Sequence, residues 1–114
     1  MQPLYAVINS GYAVSGDVDL RVRALLGVSV PVISSGDLAI QGNVDTTSAN
    51  FTRLLYGLYA PGSGDLRFPT QAGSRMVMFP ANFSTPAYVR LETVMNTGSA
   101  QTDTRTFTLL TRPR

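Results

Sequence analysis

The chain contains no cysteine, histidine, tryptophan or lysine. The first two absences exclude a disulfide framework, zinc or haem ligation through those side chains, and every catalytic device built on an imidazole or a thiolate. They also leave the redox compartment unreadable. With neither histidine nor lysine present, serine lacks the bases that usually activate it as a nucleophile. Tryptophan is the usual stacking platform for sugars, so its absence counts against a carbohydrate-binding module. Charge is scarce as well: 14% of residues are charged against 44% hydrophobic, and all nine basic residues are arginine. Arginine is less strongly hydrated than lysine and is enriched in protein interfaces where lysine is depleted, so such a surface suits contact with other protein. Codon bias in a GC-rich genome is the plainer source of the same preference. The formal net charge is only +2. The arginines at 21, 23, 53, 67, 75, 90, 105, 112 and 114 are scattered rather than gathered on one element, so no nucleic-acid partner is expected.

What is present points to one β-rich domain. At 114 residues the chain is long enough to bury a core without a metal or disulfides. The N-terminal stretch MQPLYAVINSGYAVSG has no basic residue ahead of its apolar run, which breaks at Asn9. It fits neither a secretory leader nor a membrane span, so the expectation is a protein that stays in the cell that makes it unless lysis or particle assembly carries it out.

The clearest periodicity lies in GDVDLRVRALLGV, where Val18, Leu20, Val22 and Ala24 alternate with Asp17, Asp19, Arg21 and Arg23. That spacing predicts a strand with one buried face, its acids and arginines pairing along it or with neighbouring strands. VSVPVIS follows as a second strand, and its Pro31 argues for an edge or a bulge rather than a central place. LAIQGNV reads as a third, and the polar run from Gln41 to Asn50 as a surface loop. FTRLLYGLYA is ambiguous between helix and strand, but its aromatic content, Gly57 and the PGSGD turn favour strand. Short strands are expected at DLRFP and RMVMFP, and longer ones at Ala87 to Met95 and Thr104 to Arg112, with NTGSAQTD as the turn between the last two. The sum is an all-β domain over 1–114: an antiparallel β-sandwich of about eight strands, in jelly-roll or related Greek-key topology.

No constellation for chemistry emerges. The acids stand singly apart from Asp17 and Asp19 on an outward face, so neither a carboxylate dyad nor any other catalytic set is expected. Loop carboxylates and carbonyls near GNVDTTSAN are the best place for calcium, yet they lack calcium-loop spacing. The GSG at Gly62 to Gly64 reads as a turn. The acceptor triplets NFT at Asn50 and NFS at Asn82 carry little meaning without a leader. No metal, cofactor or catalytic residue is expected. Tyr56, Tyr59, Phe68, Phe79, Phe83 and Tyr88 are read mostly as core, with interface anchors and a sugar platform as the alternatives.

The stretch FPANFSTPAYVRLETV joins these readings. Pro80 and Pro86 hold a loop at both ends, with Phe83 at its tip. A strand follows with Val89, Leu91 and Thr93 on one face and Tyr88, Arg90, Glu92 and Val94 on the other; Arg90 and Glu92, two apart on the same face, are close enough to pair or to meet a partner's charges, and pairing within the subunit is the expectation. A proline-ended loop, the strand from Pro86 to Val94, a turn rich in Gly, Ser and Thr, and a final threonine-rich strand from Thr104 to Thr111 together resemble the small cement or decoration proteins of tailed-bacteriophage capsids, particularly those with a jelly-roll fold. The resemblance implies a structural, non-enzymatic virion protein on the capsid exterior. It would be a homo-oligomer, by preference a trimer, bridging capsomers of the major capsid protein without a membrane partner. Phe83, Arg90, Tyr56, Tyr59, Arg112 and Arg114 are the candidate contact residues, the last two on the terminal TRPR. Another virion or tail component with a sandwich fold is the nearest alternative, and a carbohydrate-binding module a more distant one.

Overall fold

A computed structural model describes residues 3–33, 37–53, 67–68, 74–79, 85–94 and 100–114. Nine strands occur among them: β1 (Leu4–Ile8), β2 (Val18–Asp19), β3 (Arg23–Val30), β4 (Asp37–Asn43), β5 (Thr52–Arg53), β6 (Arg67–Phe68), β7 (Arg75–Met78), β8 (Tyr88–Val94) and β9 (Arg105–Pro113). A single 3-10 turn at Ser48–Asn50 is their only helical element. Every strand pairing is antiparallel. One sheet, here sheet A, has the order β1-β9-β3-β7; the other, sheet B, has β2-β8-β4-β5, with β6 also on β4. β1 pairs with β9, β2 with β8, β3 with β7, and β4 with β5 and β6, so the pairings nest from the chain ends inward.

The inward residues of both sheets form one apolar cluster, which makes the arrangement a β-sandwich. β1 sends Ala6 and Ile8 into it, β3 sends Leu25, Val28 and Val30, β4 sends Leu38 and Ile40, β8 sends Val89 and Leu91, and β9 sends Phe107 and Leu109. Burying a side chain of this size contributes ~1.5–3 kcal/mol, so this cluster is the main source of stability.

Three expectations change. The run from Val18 to Ala24 is not one strand: Leu20 is fully buried but Val22 is 74% exposed. Between them the chain leaves sheet B for sheet A, with Arg23 N–H facing the Leu20 carbonyl at 3.5 Å, and the alternation restarts in a new phase. Second, β3 is interior, between β9 and β7, rather than an edge. Pro31 does not disturb it because the strand ends at Val30, and its irregularity is a register shift between Leu25 and Gly27. Third, LYAVI, unassigned as a strand from sequence, is β1, with its burial alternating along the chain. The polar loop expected at 41–50 begins only after Asn43, because Gln41 to Asn43 still belong to β4. Of the strand expected at Phe51 to Ala60, only Thr52 and Arg53 are described as strand, β5, and 54–60 lie outside the described residues.

Candidate protein-interaction face

The two outer faces of the sandwich differ in chemistry. On sheet A, alternation turns outward Tyr5 and Val7 of β1, Thr106, Thr108, Leu110 and Arg112 of β9, Gly27 and Ser29 of β3, and Met76 and Met78 of β7. Register arranges them in rows: Tyr5, Thr108, Ser29 and Met76 cross the sheet in one, and Leu110, Gly27 and Met78 in the next. Tyr5 and Met78 are 59% exposed and Met76 is 54% exposed, with Leu26 of the bulge partly exposed beside them. A Cβ on Gly27 would lie 2.6 Å from the Val77 carbonyl oxygen and 2.7 Å from Met78 Sδ, so the missing side chain lets β7 and its Met78 lie close against β3. No carboxylate stands among these outward residues, and Arg112 marks one end of the face. Apolar, methionine-bearing and hydroxyl-bearing surface of this kind can desolvate against another protein without stranding a charge.

Sheet B turns a different side outward. Arg90 Nε donates to Asp17 Oδ1, and the guanidinium lies 4.0 Å from the centre of the Phe51 ring. Glu92 is 4% exposed and accepts a hydrogen bond from Gln41 Nε2 at 3.0 Å. The segment 13–15 runs along β8: Ser15 N–H donates to the Leu91 carbonyl, and Thr93 N–H to the Ala13 carbonyl, both at 2.9 Å. Buried Gln101 ties the same region, donating through Nε2 to Thr93 Oγ1 at 3.0 Å and receiving Gly11 N–H on its carbonyl at 2.7 Å. At the corner after β2, Arg21 Nη2 meets Asp19 Oδ2 at 2.8 Å and its guanidinium lies 5.5 Å from the Tyr88 ring. Hydrogen bonds from the Arg21 side chain, and then from its N–H, hold the Asp19 carboxyl below its ordinary range, while the same contact raises Arg21. Among the described side chains of sheet B, Asp19, Arg90 and Glu92 are thus engaged in contacts within the chain.

The candidate contact residues fall in different places. Arg112 stands on the outer face of sheet A, opposite Ala24. Arg90 is engaged by Asp17 and Phe51 on sheet B. Arg114 fastens the C-terminus: its N–H donates to the Val22 carbonyl, Nε to the Leu20 carbonyl at 2.8 Å and Nη2 to the Thr85 carbonyl at 3.1 Å. Phe83, Tyr56 and Tyr59 lie outside the described residues. Of the other aromatics, Phe79 is in the core and Tyr88 is half-buried near Arg21. The face of sheet A was not foreseen, although its signal was available: LYAVI contains no charged residue, and RMVM has only Arg75.

The loop weighed for calcium is organised by its own hydrogen bonds. Asp45 Oδ1 accepts Thr47 N–H at 2.8 Å and Asn43 Nδ2 at 3.0 Å, and Asn43 Nδ2 also reaches the Thr47 carbonyl. The Thr47 N–H first, then its hydroxyl, hold the Asp45 carboxyl below its ordinary range. Among the described residues no three acidic, histidine or cysteine side chains gather as a metal cluster would require.

No protein-family model, curated protein or solved structure matches this chain.

Proposed function

We propose that this protein is a structural virion component: a cement or decoration protein that binds the outer face of a phage capsid and stabilises contacts between capsomers of the major capsid protein. The observation that carries this reading is the contrast between the two faces of the sandwich. Sheet A presents apolar and hydroxyl side chains to solvent with no carboxylate among them and Arg112 only at one end, while Arg90 and Glu92 of sheet B are held in contacts within the chain. A surface repeated over a shell needs only modest affinity at each site, because many copies and linked contacts add through effective concentration.

Topology supports the same reading. Nested pairing of β1 with β9, β2 with β8, β3 with β7 and β4 with β5 is what a long double-stranded ribbon gives when rolled so that β9 also meets β3 and β8 also meets β4. That nesting supports a jelly-roll reading, a fold used by capsid and lectin domains among others. The role is mechanical rather than catalytic, and the protein works on the virion exterior as a homo-oligomer.

Co-sedimentation with purified capsid shells tests the reading. The protein should pellet with shells and raise the temperature at which they lose DNA. A chain that stays in the supernatant, or that is retained instead by a polysaccharide column, overturns it.

A further inference from the structure

We infer that the free edge of β1 pairs antiparallel with β1 of a second copy, about a two-fold axis at Ala6. Among the described residues β1 is an edge of sheet A, bonded only to β9. Edge strands expose unpaired N–H and C=O groups, and proteins blunt them with charge, proline or cover. The other described edge strands each include a charged residue: Asp19 in β2, Arg53 in β5, Arg67 in β6 and Arg75 in β7. β1, with sequence LYAVI, includes neither charge nor proline.

The burial pattern shows which main-chain groups the edge offers. Along a strand paired on one side, alternate residues turn N–H and C=O toward the partner and the others turn them away. Ala6 and Ile8 are 2% and 0% exposed, too little for main-chain groups on an open edge, whereas Tyr5 and Val7 are 59% and 38% exposed. The outward groups are therefore those of Tyr5 and Val7. The next residues in the same alternation close the edge: Pro3 has no N–H, and the Asn9 carbonyl already accepts Tyr12 N–H at 3.0 Å.

This short edge fits itself in one symmetric register. Two-folds centred between residues oppose inward side chains to outward ones. Centring on Tyr5 opposes Val7 to Pro3, and centring on Val7 opposes Tyr5 to Asn9. Centring on Ala6 opposes Tyr5 of each copy to Val7 of the other. Each such pair then exchanges both of its N–H···O=C bonds and makes an aromatic to β-branched contact on the outer face. Leu4 meets Ile8 on the core side, no charges are opposed, and the apolar outer faces of the two sheets become continuous. The contact is isologous. It deepens the homo-oligomeric part of the proposed function and replaces the trimer implied by resemblance with a dimer.

Light scattering after size-exclusion chromatography over a concentration series tests it. The native chain should elute at twice the monomer mass and dissociate on dilution. Val7→Pro removes a donor on the free edge without touching the β9 ladder and should elute as a monomer. Val7→Lys, a solvent-facing change that leaves the main chain intact, should raise the dimer dissociation constant roughly tenfold. Ala6→Cys places the chain's only thiol on the axis, in an opposed pair with Cα atoms ~4.5 Å apart, and mild oxidation should give a covalent dimer. A monomer or trimer at every concentration overturns the inference, as does a dimer that Val7→Lys leaves unchanged and Ala6→Cys fails to cross-link. Shell co-sedimentation on the same samples separates the two proposals: a dimer that ignores shells contradicts the capsid role and supports the edge contact.

Discussion

At Gly27 one added methyl group meets main chain. Its added Cβ would meet the main-chain oxygen of Val77 at 2.6 Å, and main chain cannot swing aside as a long side chain can. Gly27→Ala should destabilise the fold by ~1–3 kcal/mol, read from the midpoint of chemical denaturation, and a variant as stable as the native chain would contradict this packing. Two carboxyls contribute to the acid response. Asp19 and Asp45 both lie below their ordinary value of 3.8 in the folded chain, so their contribution is complete above that pH and is lost as pH falls through the lowered folded values. The melting temperature should therefore drop below about pH 4, and Asp19→Asn and Asp45→Asn should each remove part of that drop. Both groups are exposed, so each share is small.

The corner between β2 and β3 shows what alternation tells and what it hides. Val18, Leu20, Val22 and Ala24 alternate with charged residues as in one strand, and a period of two gives no sign that the chain changes sheets midway. Long-range pairing decides that: β2 is bonded to β8, and β3 to β9 and β7. Leu20→Ala should cost ~2–5 kcal/mol, whereas Val22→Ala should stay within ~0.5 kcal/mol. Equal losses would restore the single strand. Where no such switch occurs, sequence was a sufficient guide: β8 and β9 lie within one residue of their expected bounds, and Val89 and Leu91 face the core as their spacing predicts. β1 was illegible for a different reason. A short uncharged run beside the N-terminus carries no polar alternation, and its place comes from β9, about a hundred residues away along the chain.

At the scale of the whole molecule, the core explains the fold and the outer faces carry the proposed function. Sheet B hides Glu92 and engages Arg90 through Asp17 and Phe51, so substitutions there should report on stability. Sheet A leaves Tyr5, Met76 and Met78 in solvent with no carboxylate among the outward residues, so substitutions there should report on association. Candidate contacts chosen from sequence favoured arginines and aromatics, the usual anchors of interfaces. That preference passes over a face whose distinguishing property is the charge it lacks. The most direct measurement is co-sedimentation with capsid shells of the native chain, Met76→Glu and Tyr12→Glu, all three verified as folded. Met76 lies on the face of sheet A at the β7 edge, away from β1, and Tyr12 is an even more solvent-exposed large side chain in the loop after β1. The account predicts that the native chain and Tyr12→Glu pellet with shells while Met76→Glu binds at least ~10-fold more weakly, a charge having been buried without a partner. Binding by Met76→Glu equal to the native chain, or no binding by the native chain, would contradict it.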